Sequence, residues 1–218
     1  MIICLDGPAG SGKSTISRML AQKTGMIYLD TGAIYRSLAY LAKEKHIDWT
    51  DEDQLAILTR DMDLRFEKDA NVVLNGEDVT GKIRTPEISK GSSVVSKHPK
   101  VRAELLGLQR AAAKQGDVVA EGRDTGTVVF PDAFLKIYLD ATAQERARRR
   151  TAELHAKGIH VDMKQVQEDI ELRDRSDSER DVAPLRSAPD AIILDTTGIG
   201  PDEVVERILR LIHERSTP

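Results

Sequence analysis

The chain has little of several residue types that would point to other classes of protein. Its 218 residues include one cysteine, Cys4, so no disulfide can form within the chain, which fits a reducing cytosol. No apolar run approaches the length that spans a membrane. The sequence enters a predicted strand at Ile2, which leaves no room for a signal peptide. We therefore expect a soluble, cytoplasmic protein that does not contact a membrane.

An excess of charge of either sign is also absent. The 32 lysines and arginines against 36 aspartates and glutamates give a net charge of −4, which does not indicate a general nucleic-acid surface. The positive charge is local instead, because arginines cluster at 146–150 and again at 173–186. Such runs are usually solvated helix faces, although guanidinium groups near a phosphate site also pair with phosphate oxygens. We expect no nucleic-acid partner, no protein partner and a monomer.

What the chain does have, in its first fifteen residues, is a phosphate-binding pattern. The segment fits Gly-x-x-x-x-Gly-Lys-Ser/Thr between an apolar run at 2–5 and a helical pattern. Glycines let backbone N–H groups point at phosphate oxygens, and the helix directs its positive end at the same anion. Lys13 is predicted to reach the β- and γ-phosphates, and the Ser14 hydroxyl to bind Mg²⁺. The predicted phosphate-binding residues are Gly7, Pro8, Ala9, Gly10, Ser11, Gly12, Lys13, Ser14 and Thr15.

Short apolar runs alternate with helical periodicity along the chain. The runs lie at 2–5, 26–29, 118–120, 135–139 and 191–194. Strands of this length separated by helices predict an α/β fold of the P-loop NTPase type, a parallel sheet flanked by helices in one domain over 1–218. Binding residues are then expected at the carboxyl ends of the strands.

Two stretches break this alternation. Residues 64–79 form a predicted hairpin around the turn signal Asn75-Gly76, which indicates a lobe inserted at about 36–100. Residues 144–157 are predicted to form a charged helix that turns at Gly158, before Asp162 caps another predicted helix. This second stretch, about 144–162, is either a lid or a surface helical hairpin.

Three clusters concern the group that accepts the phosphoryl. Residues 30–36 follow the second strand, and there Thr31 is expected to cap a helix that carries Tyr35 and Arg36. Residues 121–131 place an arginine–aspartate pair between glycines, either close to a ligand or as a salt bridge at a tight turn. A third set shares one predicted helix stripe, apolar at its start and charged at its end: Val166, Ile170, Arg173, Asp177 and Arg180.

These motifs resemble those of bacterial cytidylate kinases nearly end to end. The similar segments are 7–14, 30–36, 121–131 and the run from Arg173 to Leu185. The resemblance implies transfer of the γ-phosphoryl group of Mg²⁺-bound ATP to CMP or dCMP, with an enlarged monophosphate-binding lobe and a short lid. In this chain Thr31 stands where many relatives have serine, and Glu121 replaces an aspartate found in some members.

The resemblance also implies roles for individual residues. Ser93, Arg102 and Asp124 would contact cytosine, Arg173 and Asp177 would hold the sugar, and Thr31 and Tyr35 would line the pocket. Arg36, Arg123 and Arg180 would grip the acceptor phosphate. Apart from the resemblance, exclusion of water from the reaction predicts a lid closure that brings Arg149 or Arg150 onto the phosphates. The predicted catalytic residues are Lys13, Arg123, Arg180, Arg149 and Arg150.

Base chemistry supports one of these roles in particular. Cytosine carries an amino donor at N4, where an aspartate accepts a hydrogen bond, whereas uracil places an acceptor there. Discrimination against uracil is therefore expected to fall mainly to Asp124.

Two other functions share the phosphate loop. A kinase with a hydroxyl acceptor benefits from a positioned base, for which Asp30 is the candidate. A GTPase switch is indicated only by the segment 195–198, Asp-Thr-Thr-Gly, and the sequence has no Asn-Lys-x-Asp motif for reading guanine. The number of arginines around the acceptor separates the kinase readings, since a neutral hydroxyl needs fewer of them.

Overall fold

The computed structural model describes residues 1–66, 71–156 and 158–217. In chain order its elements are β1 (Ile2–Asp6), α1 (Lys13–Thr24), β2 (Ile27–Asp30), α2 (Thr31–Glu44), α3 (Glu52–Arg60), β3 (Leu64–Phe66), β4 (Val72–Leu74), β5 (Glu77–Asp78), α4 (Pro86–Val95), α5 (Pro99–Ala112), β6 (Val118–Gly122), β7 (Leu135–Asp140), α6 (Ala143–Ala156), α7 (Met163–Ser178), β8 (Ile192–Asp195) and α8 (Pro201–Ser216). The fold divides into two units. The first comprises Met1–Tyr28, Gly116–Glu179 and Ala183–Pro218, and the second Leu29–Gln115 and Arg180–Val182.

A parallel sheet has the strand order β2-β6-β1-β7-β8, and its strands β6, β1, β7 and β8 belong to the first unit. β1 lies at its centre, with Leu5 opposite Glu121 on β6 and Ile137 on β7. A strand covered on both faces must be apolar throughout, which explains why Ile3, Cys4 and Leu5 are all buried. Polar residues at the carboxyl ends of β1 and β6 therefore lie side by side at one edge.

Two helices bury their apolar faces on this sheet. Ile16 and Leu20 of α1 belong to the same buried cluster as Val204 and Ile208 of α8 and Ile137 of the sheet. Full burial of each such side chain stabilises the fold by about 1.5–3 kcal/mol. The cluster fixes the first turn of α1, and with it the glycine-rich loop between β1 and α1.

The antiparallel pair α6–α7 has its own small core. Ala147 and Leu154 of α6 pack with Val166 and Ile170 of α7, and Ala9 of the glycine-rich loop joins them. Asp162 caps α7 by accepting a hydrogen bond from the Gln165 N–H, as the sequence predicts. Lys157, the last residue of the predicted charged helix, lies outside the described residues.

The second unit packs α2 against α4 and α3 against α5, beside a small antiparallel sheet β3-β4-β5. Asn75 and Gly76 form the turn between β4 and β5 with φ values of 50° and 85°, the left-handed conformation that such a two-residue turn requires. The predicted hairpin over 64–79 includes residues 67–70, which lie outside the described residues. A Cβ on Gly91 would lie 2.6 Å from the Trp49 ring, so α4 needs glycine there.

The five predicted parallel strands and the predicted fold class are confirmed, with β2 beginning at Ile27. Two expectations were wrong. Asp30, not Thr31, caps α2, because Asp30 keeps the extended backbone of β2 and accepts from the Ala33 N–H, whereas Thr31 is already helical. Arg180 does not share the α7 stripe, because α7 ends at Ser178. Among the described residues no helix is long and apolar enough to cross a membrane.

Candidate active site

The loop between β1 and α1 has the backbone of a phosphate cradle. Gly7, Gly10 and Gly12 have φ values of 149°, 76° and 92°, a region that side chains disfavour. A Cβ on Gly7 would lie 2.1 Å from the Leu139 carbonyl oxygen, so the loop passes too close to β7 for any other residue. Gly12 precedes α1, and in the described structure no side chain caps that helix. Its first N–H groups therefore point into the cradle, as anion sites at helix termini require.

Lys13 is buried at the base of this loop, with 6% of its surface exposed. Its Nζ donates to the Pro8 carbonyl oxygen at 2.6 Å and to Ser11 Oγ at 3.3 Å. Burial lowers the pKa of Lys13 well below its ordinary value, and the positive charge of Arg123 lowers it further, while Glu121 counteracts both. An anion placed beside this ammonium group would raise that pKa again.

Ser14 contacts a residue whose role the sequence left open. Its Oγ donates to Glu121 Oε2 at 2.9 Å, and the Tyr28 hydroxyl bonds the other carboxylate oxygen. A hydroxyl and a buried carboxylate are the hard oxygen ligands that Mg²⁺ takes along with water and phosphate oxygens. The described residues hold no group of three or more histidine, cysteine, aspartate or glutamate side chains that could bind a metal ion. The sequence feature that indicated a functional role for Glu121 was its position near the end of β6, the strand beside β1.

A second concentration of charge in the first unit surrounds Asp177 near the end of α7. Arg123 Nε donates to Asp177 Oδ2 at 2.9 Å, and Arg173 Nε lies 4.0 Å from the same oxygen. Burial alone would lower the pKa of Arg123, but the charges of Asp177 and Asp174 outweigh it and raise that pKa. Two guanidinium groups thus lie beside one carboxylate, and guanidinium groups also pair with phosphate oxygens.

Asp124 follows Arg123 and is buried, with 5% of its surface exposed. Its carbonyl oxygen accepts from the Val128 and Val129 N–H groups as the chain enters a π-helical turn at Thr125–Val129. Such turns are rare and occur often at functional sites. Arg123, which the sequence placed either close to a ligand or in a salt bridge at this turn, forms an ion pair with Asp177.

Asp6, at the end of β1, holds this turn in place. Its carboxylate accepts from Thr125 N and Oγ1, each at 2.9 Å, and from Gly126 N at 2.8 Å. Burial raises the pKa of Asp6, and these hydrogen bonds counteract the rise. Burial also raises the pKa of the neighbouring Cys4 thiol to about 12, so Cys4 is an inert core residue.

We expect Asp6→Asn to lower the free energy of unfolding by about 1–3 kcal/mol, because an amide has one acceptor oxygen for three donors. Thermal and urea unfolding measure the change. Asp195→Asn is the matched control, since Asp195 ends β8 but is exposed. Equal stability of the two variants would contradict the role of Asp6.

In the second unit, Arg36 and Asp30 form one arrangement. Asp30 uses one carboxylate oxygen to cap α2 and accepts from Arg36 NH2 at 2.8 Å with the other. Arg36 Nε is buried without a hydrogen-bond partner among the described residues. A buried donor of this kind is satisfied when an acceptor such as a phosphate oxygen binds. Asp30, with both oxygens engaged, is poorly placed to act as the base of a hydroxyl kinase.

Tyr35, Arg102 and Arg180 form the second arrangement in that unit. The Arg102 guanidinium carbon lies 5.4 Å from the centre of the Tyr35 ring, and NH1 donates to the Ser96 carbonyl oxygen at 3.2 Å. Arg180 NH1 reaches Ser96 Oγ at 3.4 Å. Ser96 thus contacts both Arg102 and Arg180. The sequence analysis predicted the two arginines but did not identify Ser96. Ser93 donates to the Ser89 carbonyl oxygen within α4 at 3.4 Å, and Thr31 is buried.

The two predicted lid arginines differ in their surroundings. Arg149 NH1 donates to Thr196 Oγ1 at 3.0 Å and lies within 3.5 Å of the Ser11 carbonyl oxygen, beside the phosphate cradle. Arg150 pairs with Glu153 on its own helix at 2.7 Å. Arg149 is therefore the better placed of the two in the described structure.

Comparisons with known proteins show the family of the chain. The family model for cytidylate kinase matches residues 3–214. A cytidylate kinase of Syntrophotalea carbinolica is 52% identical over 218 residues, covering 99% of this chain and 93% of the relative. One of Desulfitobacterium hafniense is 47% identical over 215 residues, covering 98% and 93%.

Similar solved structures support the fold alone. An uncharacterized protein from Eubacterium ventriosum aligns with a TM-score of 0.55 at 11% identity, covering 98% of each chain. A Thermus thermophilus protein aligns with a TM-score of 0.50 at 20% identity, covering 100% of this chain and 98% of that one.

The strand order and the lysine-bearing phosphate loop define a P-loop kinase. With a family model that spans nearly all of its residues, the chain belongs to the cytidylate kinase family. The resemblance noted in the sequence is confirmed, and the readings as a GTPase switch or as a kinase with a hydroxyl acceptor were wrong.

Proposed function

We propose that this enzyme transfers the γ-phosphoryl group of ATP, bound with Mg²⁺, to the 5′-phosphate of CMP or dCMP. Membership of the cytidylate kinase family over residues 3–214 is the observation that carries the proposal. The two guanidinium groups of Arg123 and Arg173 beside Asp177 support it, because a phosphate acceptor needs more cationic groups than a neutral hydroxyl.

The acceptor needs no general base. The second pKa of a phosphate monoester is about 6, so CMP is already a dianion near neutral pH. The difficulty is the repulsion between two polyanions that must approach in line. In our proposal Arg36, Arg123 and Arg180 bind the acceptor phosphate, while Lys13 and the N–H groups of the cradle bind the donor.

Mg²⁺ fits the oxygen ligands present here, and Ser14 and Glu121 are the residues that would hold it. When bound it neutralises charge on the donor phosphates. Arg149 would complete the cationic surroundings from the predicted lid, where closure excludes water as a competing acceptor. Arg150 remains the alternative on the same helix.

The remaining predicted residues would recognise the nucleoside. Asp124 would accept from the cytosine amino group, and Arg102 and Ser93 would bind other base edges. Arg173 and Asp177 would bind the sugar. Thr31 and Tyr35 would line the pocket.

An assay coupled to ADP formation, run with each nucleoside monophosphate in turn, tests the proposal. CMP and dCMP should exceed AMP, GMP and TMP, and ADP formation independent of the acceptor would refute it.

We expect Arg180→Ala to lower kcat/KM for CMP about thirtyfold, which is the effect of losing one charge-assisted hydrogen bond to phosphate. Arg180→Lys should recover part of the loss because it keeps the charge. Arg175→Ala is the matched control, since Arg175 is exposed on α7. The midpoint of thermal unfolding should stay near that of the wild type, and wild-type kinetics in Arg180→Ala would refute the assignment.

A further inference from the structure

The backbone of Ala9, in the phosphate cradle, is held by a largely buried ion pair from another part of the first unit. The Ala9 N–H donates to Asp174 Oδ1 at 2.8 Å, and the Ala9 carbonyl oxygen accepts from Arg146 NH1 at 2.8 Å. Arg146 NH1 and Asp174 Oδ2 also pair with each other. Both polar groups contributed by Ala9 to the backbone are therefore bound by one ion pair.

Arg146 is fixed in its own right. Its Nε donates to the Ala141 carbonyl oxygen at 3.0 Å, and only 8% of the residue is exposed. The next residue of the cradle, Gly10, lies against the α6 backbone, where a Cβ would come within 3.0 Å of the Arg146 carbonyl oxygen. The cradle thus rests on α6 at two successive residues, and the smallness of Gly10 serves this contact as well as phosphate binding.

A buried ion pair is weak evidence for stability, because desolvating two charges costs about as much as their attraction returns. An ordinary structural pair between α6 and α7 would need no contact with the loop. Here the remaining hydrogen-bonding capacity of Asp174 is directed to Ala9, and that of Arg146 to Ala9 and Ala141. The ion pair therefore binds the backbone of the loop directly, which apolar packing of Ala147 and Ile170 alone would not do.

We infer that Arg146 and Asp174 are positioning residues that hold the backbone of Ala9, and through it the phosphate cradle, in the geometry that binds ATP. The inference rests on the proposed binding of ATP by this loop. Asp174 stands beside Arg173 and three residues before Asp177, so one helix carries the support of the donor loop and two proposed acceptor-binding residues. Distortion of α7 is thereby transmitted to the donor loop.

Calorimetric titration with a non-hydrolysable ATP analogue, with and without the pair, tests the inference. We expect Asp174→Asn and Arg146→Met each to raise the Kd of the analogue about tenfold, which is about 1.4 kcal/mol. The Kd of CMP measured without the analogue should stay within twofold of the wild type. The double variant should lose less than the product of the two single effects, because both residues act on the backbone of Ala9 and pair with each other.

The double variant also protects the test against misfolding. Removing one partner leaves an uncompensated buried charge, whereas removing both avoids it, so the double variant should unfold at a higher temperature than the less stable single variant. Arg148→Met is the control on the same helix, because that side chain is 64% exposed and pairs with Glu145.

Two results would overturn the inference: an analogue Kd within twofold of the wild type in every folded variant, or equal losses of affinity for the analogue and for CMP. Lys13→Met in the same titration separates this failure from failure of the proposed function. If Lys13→Met binds the analogue like the wild type, the loop does not bind ATP as proposed. If it binds poorly while the Arg146 and Asp174 variants bind normally, only the positioning role is wrong.

Discussion

Replacing Lys13 with methionine is expected to lower kcat about a thousandfold while the protein unfolds at the wild-type temperature or slightly above it. The loss follows from removing a preorganised cation from the charge that develops on the transferred phosphoryl group. The free energy of unfolding should not fall, because burial disfavours the charged form of Lys13 and lowers its pKa. Keeping the ammonium group charged therefore destabilises the folded protein. Methionine fills a similar volume without that cost.

Steady-state kinetics and thermal unfolding of the same preparation check both parts of this prediction. Lys23→Met is the control, because Lys23 lies in the last turn of α1, is exposed and pairs with Glu206. It should leave kcat unchanged. A Lys13→Met enzyme with wild-type turnover, or one that loses turnover only because it is largely unfolded, would contradict the assignment.

Local patterns were sufficient for the sheet and the phosphate cradle. The apolar runs, the spacing of Gly7 and Gly12 and the turn at Asn75 each reflect a constraint that acts within a few residues. Signals of the same kind also existed for two helices that the sequence reading left out. Asp51 caps α3, and Thr85 caps α4 with Pro86 in its first turn.

The contacts that build the site could not be predicted from local sequence patterns, because they join residues far apart in the chain. Arg123 pairs with Asp177 across 54 residues of sequence, and Arg146 with Asp174 across 28. Spacing along a helix predicts neighbours only within that helix. The same limit explains Arg180, whose place was extrapolated past the end of α7. Asp30 and Thr31 both suit a helix cap, and the extended backbone at the end of β2 decides between them.

The preference for cytosine over uracil is expected to depend mainly on Asp124. We expect Asp124→Asn to lower the ratio of kcat/KM for CMP to kcat/KM for UMP about a hundredfold, chiefly by loss of activity on CMP. A carboxylate accepts from the cytosine amino group, and it repels the uracil carbonyl oxygen at the same place. An asparagine amide can instead donate from its NH₂ group to the uracil carbonyl oxygen. The same NH₂ group facing the cytosine amino group would leave two buried donors without an acceptor.

The surroundings of Asp124 make this a test of recognition rather than of folding. Its backbone is tied by the Val128 and Val129 N–H groups, and the following residues by Asp6, so an isosteric side chain should occupy the same position. Asp132→Asn, an exposed change eight residues along the chain, is the control and should leave the ratio unchanged. If Asp124→Asn shifts the ratio by less than threefold while binding both nucleotides, another residue reads position 4 of the base. Retained ATP affinity in that variant would show that the donor loop is intact, because the cradle is supported by α6 and α7 rather than by Asp124.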